Sequence, residues 1–592
     1  MLKKFFIHSI PVLCLLLLCN FNVTATIYTA VASGNYTDAS TWQGGNIPPR
    51  NPTGHSIIIP SGITVTVATK MFFAASSASD ELQVDGNLNM PGMELILFDA
   101  VLKGSGTITA GTFGGEFTRG FDFSGTITTD YLDGSTISAN TNVVFNVADR
   151  MDVVDSMQMD QGTLNIGPGC FIILHGAIAR TTPTLKMQGS STLSFGGNYS
   201  VAYTGDRVYT GKELSGQDID SVIVAMSGNL QQVYLNEDLN IKGKLNIRSG
   251  MLVLNGHDLN LAVTSSFESG AAGSIKSSSP SNITIECATP LTGPLRFNAS
   301  GHDVDDLTVN TTGVVVIENN LTVSKFDLVK GKIAISNGTL HIPTVTDRTL
   351  FSPDRYIITV PSGAVGQGIN PINSNKDSAF YPIGTTTQYL PLKIITTSQH
   401  SLLKANVSPG VPDGSPGGTD MALTRPVVNA TWALNGDNAI NGSMETTWYP
   451  AAEVNGFDKS NAYISWHNTI NKWDKIPAKT ATANTDGSFS ITRDNITQMG
   501  YFAVFDKNTV GVKDIVTQQQ IAMHPNPATN TLYIDIKTEA QALVYNTTGQ
   551  LMQQATVTPG NSSVNISGLA PGMYYIQLQG GNVNATGSFI KQ

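Results

Sequence analysis

Lys244-Leu-Asn-Ile-Arg-Ser-Gly-Met-Leu-Val-Leu-Asn-Gly-His-Asp-Leu-Asn-Leu261 returns, without a gap, as Lys325-Phe-Asp-Leu-Val-Lys-Gly-Lys-Ile-Ala-Ile-Ser-Asn-Gly-Thr-Leu-His-Ile342. Gly250 falls on Gly331, and Leu245, Leu254 and Leu259 fall on Phe326, Ile335 and Leu340. Apolar residues alternate with polar ones in both copies, the two-residue period of strands buried on one face. Upstream, Asp220-Ser-Val-Ile-Val-Ala-Met-Ser-Gly228 has its echo in Asp305-Asp-Leu-Thr-Val-Asn-Thr-Thr-Gly313. Recurring strand–turn units without helices predict a β-solenoid, parallel β-helix-like, in which each coil buries its apolar face against the next. The same texture, with Leu82, Val84, Leu88, Leu102, Ile108, Leu164 and Ile166 as landmarks, places this region at 26–350.

Composition agrees with an all-β chain. Of 592 residues only 13% are charged, and 57 are glycine. Ser, Thr and Asn compete with a helix for backbone hydrogen bonds and favour turns instead. A formal net charge of −10 without basic runs argues against nucleic acid as a partner.

Lys3 and Lys4 precede an apolar run from Val12 to Leu18, and Val23-Thr24-Ala25 offers small residues at a cleavage position. Residues 1–25 therefore read as a signal peptide, cut between Ala25 and Thr26. Cleavage removes two lysines and takes the net charge to −12. It also leaves Cys170 and Cys287 as the last two cysteines, able to form one bridge or to stay as two buried thiols.

Beyond about Leu350 the text changes. Phe380-Tyr-Pro-Ile-Gly-Thr385, Trp432, Trp448, Trp466, Trp473 and Tyr501-Phe-Ala-Val-Phe505 are spaced like strands of antiparallel sheets. This predicts a β-sandwich at 351–508, followed by a polar linker at 509–521.

The last segment, 522–592, reads as a small Ig-like β-sandwich. It opens on Met523-His-Pro525-Asn526-Pro527-Ala528 and continues through Tyr545-Asn-Thr-Thr-Gly549-Gln550 and Leu569-Ala-Pro-Gly572-Met-Tyr574. It closes on Ser588-Phe-Ile-Lys591. These motifs, in this order, resemble the type A C-terminal sorting domain of type IX secretion cargo. His524 departs from the pattern, which has an aromatic residue there, and Gln592 trails the final lysine. The resemblance implies recognition by the type IX secretion machinery at the outer membrane of a Gram-negative bacterium. It also implies later removal of the domain, with the cargo secreted or joined to surface lipopolysaccharide. Ser33-Gly-Asn-Tyr-Thr-Asp-Ala-Ser-Thr-Trp-Gln-Gly-Gly-Asn-Ile-Pro48 is similar to a segment that opens large surface proteins in the same bacteria, with Trp42 as a plug for the solenoid core.

β-Helices also carry polysaccharide lyases and hydrolases, whose sites need clustered acids with basic partners. The clusters available are Asp152 with Asp155, Glu237 with Asp238, and Asp303 with Asp305 and Asp306; solvated turn carboxylates are the default for each. The nine histidines include no His-x-x-x-His pair, and no calcium-loop spacing surrounds Asp303. Asn-x-Ser/Thr triplets, as at Asn282, Asn310, Asn320 and Asn337, reflect composition. Asp155-Ser156-Met157, Asp220-Ser221-Val222 and Asp377-Ser378-Ala379 resemble a bacterial O-glycosylation motif. Trp448, Trp466 and Trp473 would serve either as a sugar-stacking platform or as core. The expectation is a non-enzymatic, adhesin-like or structural surface protein without catalytic residues, metal or cofactor, with glycans or host and sister-cell surfaces as partners. The alternative is a carbohydrate-active or carbohydrate-binding β-helix protein.

Overall fold

The computed structural model describes residues 26–592 except 75–80, 118–120, 178–179, 217, 289–290, 346, 360–362, 370–376, 414–418, 468–472, 508–521, 537–538, 560–561 and 581–582. The expected signal peptide and the whole of the expected linker lie outside the described residues. The chain divides into two units. One comprises residues up to 148 together with 157–165 and 188–192, and the other holds the remainder.

In the first unit the alternating apolar residues stack in register through parallel ladders. Ile57 pairs with Leu82, Leu82 with Leu102, and Leu102 with Phe121. A second column runs Val65–Leu88–Ile108–Ile127 and a third Met71–Leu95–Phe113–Leu132. All twelve side chains are buried. Each strand contributes one residue in two to the interior, which is why the sequence alternates. At the start of this unit Trp42 is also buried, its indole N–H donating to the Tyr36 carbonyl at 2.8 Å and its ring meeting Tyr36 edge-on.

The second unit repeats the arrangement with its own three columns. They are Met151–Ile172–Val201–Val222–Leu245–Phe267, Val208–Val233–Leu252–Ile275–Phe297, and Leu239–Leu259–Ile283–Leu307–Phe326. The β-solenoid has about 14 turns. Outward-facing polar residues meet their counterparts one coil on. Asn260 donates to Asn240, 20 residues away, Asn246 to Glu268, 22 away, and Asn282 to Asp258, 24 away. One coil is therefore shorter than the distance between the two sequence copies that start at Lys244 and Lys325. As a result the copies begin on different faces: Leu245 sits between Val222 and Phe267, whereas Phe326 stacks on Leu307.

What the copies share is the corner. Gly250 and Gly331 both have φ of 85°, a region costly for residues with a Cβ. A Cβ on Gly250 would stand 2.6 Å from the Met226 side chain, and one on Gly331 would stand 2.2 Å from the Thr311 carbonyl oxygen. Close approach of the preceding coil and backbone handedness demand glycine together.

Parallel stacking continues through Ile333–Ile357–Ile383 and Leu321–Leu340–Val365. The strand Ala364–Ile369 then changes the rule. It is parallel to Thr339–His341 on one side and antiparallel to His400–Ser408 on the other. From it an antiparallel sheet grows through Val427–Gly436, Gly500–Asp506 and Ala462–Trp466. A second antiparallel sheet runs in the order Asp377–Tyr381, Leu392–Thr396, Gly442–Trp448, Phe489–Ile496, Thr482–Ala483. Phe380-Tyr-Pro-Ile-Gly-Thr385 thus supplies the end of the first strand of that sheet and, at Ile383, a parallel rung on Ile357. Between the sheets Trp432 and Trp448 are fully buried, and the Tyr381 hydroxyl donates to the Leu403 carbonyl at 2.8 Å.

The C-terminal domain is a separate small sandwich. Its three-stranded sheet contains Ala522–His524, Thr531–Asp535 and Ser562–Asn565; its four-stranded sheet contains Leu551–Val557, Ala540–Asn546, Gly572–Gly580 and Val583–Lys591. Leu532, Ile534, Val544, Val564, Ile576, Leu578 and Phe589 fill the space between them. Among the described residues no helix is long and apolar enough to cross a membrane.

Candidate functional site

The motifs of the C-terminal domain converge on one end of its fold. Asn526 ties the opening segment to the closing strand: its side-chain amide donates to the Ser588 carbonyl at 3.2 Å, and its carbonyl oxygen accepts from the Ile590 N–H at 2.9 Å. Pro525 and Pro527 flank it, each after a cis peptide bond. Ala528 is buried and continues the seam, donating to the Ile590 carbonyl and accepting from the Gln592 N–H, both at 2.8 Å. Lys591 lies opposite Gly572 and is buried, with its ammonium on the Gln592 carbonyl.

The Tyr574 hydroxyl donates back to the Ala570 carbonyl at 2.9 Å, and its ring stacks on Phe589. That contact locks the Leu569-Ala-Pro-Gly572 corner against the strand that follows. The hairpin at Tyr545–Gln550 turns at Gly549, which has φ of 76°. Its geometry is held by the Asn546 side-chain oxygen, which accepts from the Thr548 and Gln550 N–H groups at 3.0 and 2.9 Å. His524, the departure from the motif, stacks its ring on Tyr533 with centroids 5.5 Å apart, so an aromatic contact is kept at that position.

Residues 522–592 thus form a closed module in which the first and last motifs support each other, the build of a terminal address carried by an all-β cargo. The same residues match the family model described as the secretion system C-terminal sorting domain. The chain is accordingly cargo of the type IX secretion system, with that machinery as a partner, and is delivered to the outer surface or released from a Gram-negative cell. No curated protein and no solved structure matches the chain.

The other sequence candidates are dispersed. Asp152 is buried and paired with Arg150 at 2.6 Å. The Asp155 side chain lies outside the described residues. Glu237 meets Lys212 at 3.1 Å, and Asp238 accepts from the Asp258 N–H. Asp303 is exposed, while Asp305 and Asp306 are half-buried on a strand that runs alongside Leu321–Ser336. Among the described residues no three His, Cys, Asp or Glu side chains are grouped to hold a metal ion. Ser221 sits within a ladder with its hydroxyl bonded to Ser200 at 2.8 Å.

Cys170 and Cys287 are both free and buried. Burial pushes the Cys170 thiol up to about 12 and raises that of Cys287. The three tryptophans do not share a face. Trp448 is fully buried with its N–H on Glu453, while Trp466 and Trp473 are half-buried and donate to the Met499 and Pro412 carbonyls.

Glu213 carried no signal in the sequence. It lies in the 3-10 turn Lys212–Leu214 and is fully buried. Its Oε1 accepts from the Tyr203 hydroxyl at 2.9 Å and from the Gly211 N–H at 2.8 Å, and that N–H also reaches Oε2 at 2.9 Å. Desolvation raises its pKa to about 7 despite those donors. No local pattern distinguishes Lys212-Glu213 from a solvated turn, because the burial comes from Tyr199 and Tyr203 on an adjoining strand.

Proposed function

We propose that the chain is a non-enzymatic, adhesin-like or structural protein of the cell surface or the secreted fraction, built to display a long β-solenoid beyond the outer membrane. One observation supports this reading: among the described residues, charged and amide side chains on the outside of the solenoid pair with their counterparts on the next coil. Lys70 pairs with Glu94, Lys103 with Glu81, Lys212 with Glu237 and Lys244 with Glu268, each joining neighbouring coils. The asparagine and threonine rows supply further links of the same kind, such as Asn165 to Asn146 and Asn146 to Thr128. Repeated flat ladders of this sort suit multivalent, weak surface contacts.

Glycans and host or sister-cell surfaces are the partners that fit. Attachment to surface lipopolysaccharide, once the sorting domain is removed, would anchor the display. Binding of the purified chain to glycan arrays, host matrix and whole sister cells, together with adhesion of a deletion strain, tests the reading. The expected result is binding to at least one surface and a loss of adhesion on deletion. No binding and unchanged adhesion would overturn it.

A further inference from the structure

A cavity of about 300 Å³ is lined by Asp420, His467 and Tyr501, by the loop Ser408 to Pro412, and by Thr586 of the C-terminal domain. The loop is built for this place. Gly410 has φ of 87°, and a Cβ there would lie 2.9 Å from the Asp420 carboxylate, so only glycine brings the backbone this close. Its N–H donates to the Asn429 side chain at 2.8 Å, and its carbonyl accepts from the Thr431 hydroxyl at 2.7 Å. Asp420 is held in turn: Oδ1 accepts from the Val411 N–H at 2.7 Å and the Ala422 N–H at 2.9 Å.

Two features are left over when this architecture is accounted for. His467 is only 9% exposed, and its Nε2 is buried with no hydrogen-bond partner among the described residues. A buried polar nitrogen without a partner is costly unless a ligand supplies one. Tyr501, by contrast, keeps 40% of its surface exposed and lines the cavity, an amphipathic ring open to solvent. Burial holds the His467 imidazole below its usual range and raises the Asp420 carboxyl.

We infer that this cavity binds one ring of a neutral sugar, with Tyr501 against its apolar face and Asp420 and His467 taking adjacent hydroxyls. The volume lies at the small end of ligand sites, which suits a single terminal ring. The net charge of −10 disfavours uronic acids. All three groups come from the sandwich and stay with the cargo when the sorting domain is cut away, although Thr586 of that domain also lines the cavity. The inference rests on the adhesin-like reading and gives it a ligand class and an address.

The test is saturation-transfer NMR of the full chain with methyl glycosides of neutral hexoses and 6-deoxyhexoses, and with methyl glucuronide as the charged control. At least one neutral glycoside should bind, and Tyr501→Ala should weaken it about tenfold with the circular dichroism unchanged. Asp420→Asn keeps Oδ1 as the acceptor for both N–H groups and should weaken binding similarly; if it fails to fold, the exposed Tyr501 decides alone. Absence of binding by every neutral glycoside, or undiminished binding by Tyr501→Ala, would overturn the site. Adhesion lost on gene deletion but kept in Tyr501→Ala cells would overturn the site while leaving the adhesin reading in place.

Discussion

Replacing Glu213 by Gln should remove a pH dependence from the stability of the solenoid. The carboxyl titrates near 4.5 when solvated and near 7 when folded, chiefly through desolvation. Its folded pKa is raised, so the neutral form fits the site. Below pH 4.5 the group is neutral in both states and its contribution is complete. As pH rises from 4.5 to 7 the unfolded chain ionises first, and stability is lost until the folded group also ionises. The loss then levels off. A shift of this size corresponds to about 3 kcal/mol. Glutamine imitates the protonated acid: its oxygen accepts from the Tyr203 hydroxyl and the Gly211 N–H, while its amide nitrogen brings a fixed, pH-independent cost. Urea unfolding followed by circular dichroism, for both proteins at pH 4.5 and pH 8, isolates the titrating part. The variant should gain about 3 kcal/mol relative to wild type between the two pH values. A wild-type to variant difference that stays constant across this range would refute the reasoning.

Truncating Leu252, fully buried between Val233 and Ile275, to Ala should cost about 2–5 kcal/mol, read as a lowered unfolding midpoint. Gly331→Ala should destabilise as well, because its Cβ would collide with the Thr311 carbonyl, and a thermal melt matching wild type would count against the corner geometry. In the chain cut after Ala25, Cys170 and Cys287 should ignore a thiol reagent while the protein is native and react, two per chain, once it is denatured. Tyr574→Phe removes the hydroxyl bond to Ala570 and should destabilise the C-terminal domain by about 1 kcal/mol, measurable by hydrogen exchange in that domain.

The solenoid was legible because its physics is local and periodic. Alternation at Leu245, Ile247, Leu252 and Leu254 reports which side of each strand faces inward, and Gly250 and Gly331 mark corners that no other residue can turn. Coil length was not legible from the copies at Lys244 and Lys325. Their spacing echoes a corner pattern and does not count rungs, and register emerges only when Leu245 meets Phe267 and Phe326 meets Leu307. The change in texture after Leu350 reflects an actual change in rule, but its pivot, the strand Ala364–Ile369, looks like any other strand because parallel and antiparallel pairing share the same alternation. The tryptophans show the limit for sites. Spacing left Trp448, Trp466 and Trp473 as either a sugar-stacking platform or core. Only the fold shows the first fully buried, the third packed against a core cluster and the last two bonded to separate backbone carbonyls. Glu213 has its partners Tyr199, Tyr203 and Gly211 close by in sequence, but only the fold turns its carboxyl inward. The Asp420–His467–Tyr501 cavity joins residues that no short window of sequence contains.

Residues 522–592 are the export address of the chain. A chain lacking those residues, expressed in its own type IX-competent host beside the intact form, should be followed by fractionation and by protease digestion of whole cells. The truncated chain should accumulate in the periplasm, shielded from protease, while the intact chain reaches the surface or the medium. Surface display of the truncated chain at the level of the intact one would contradict it.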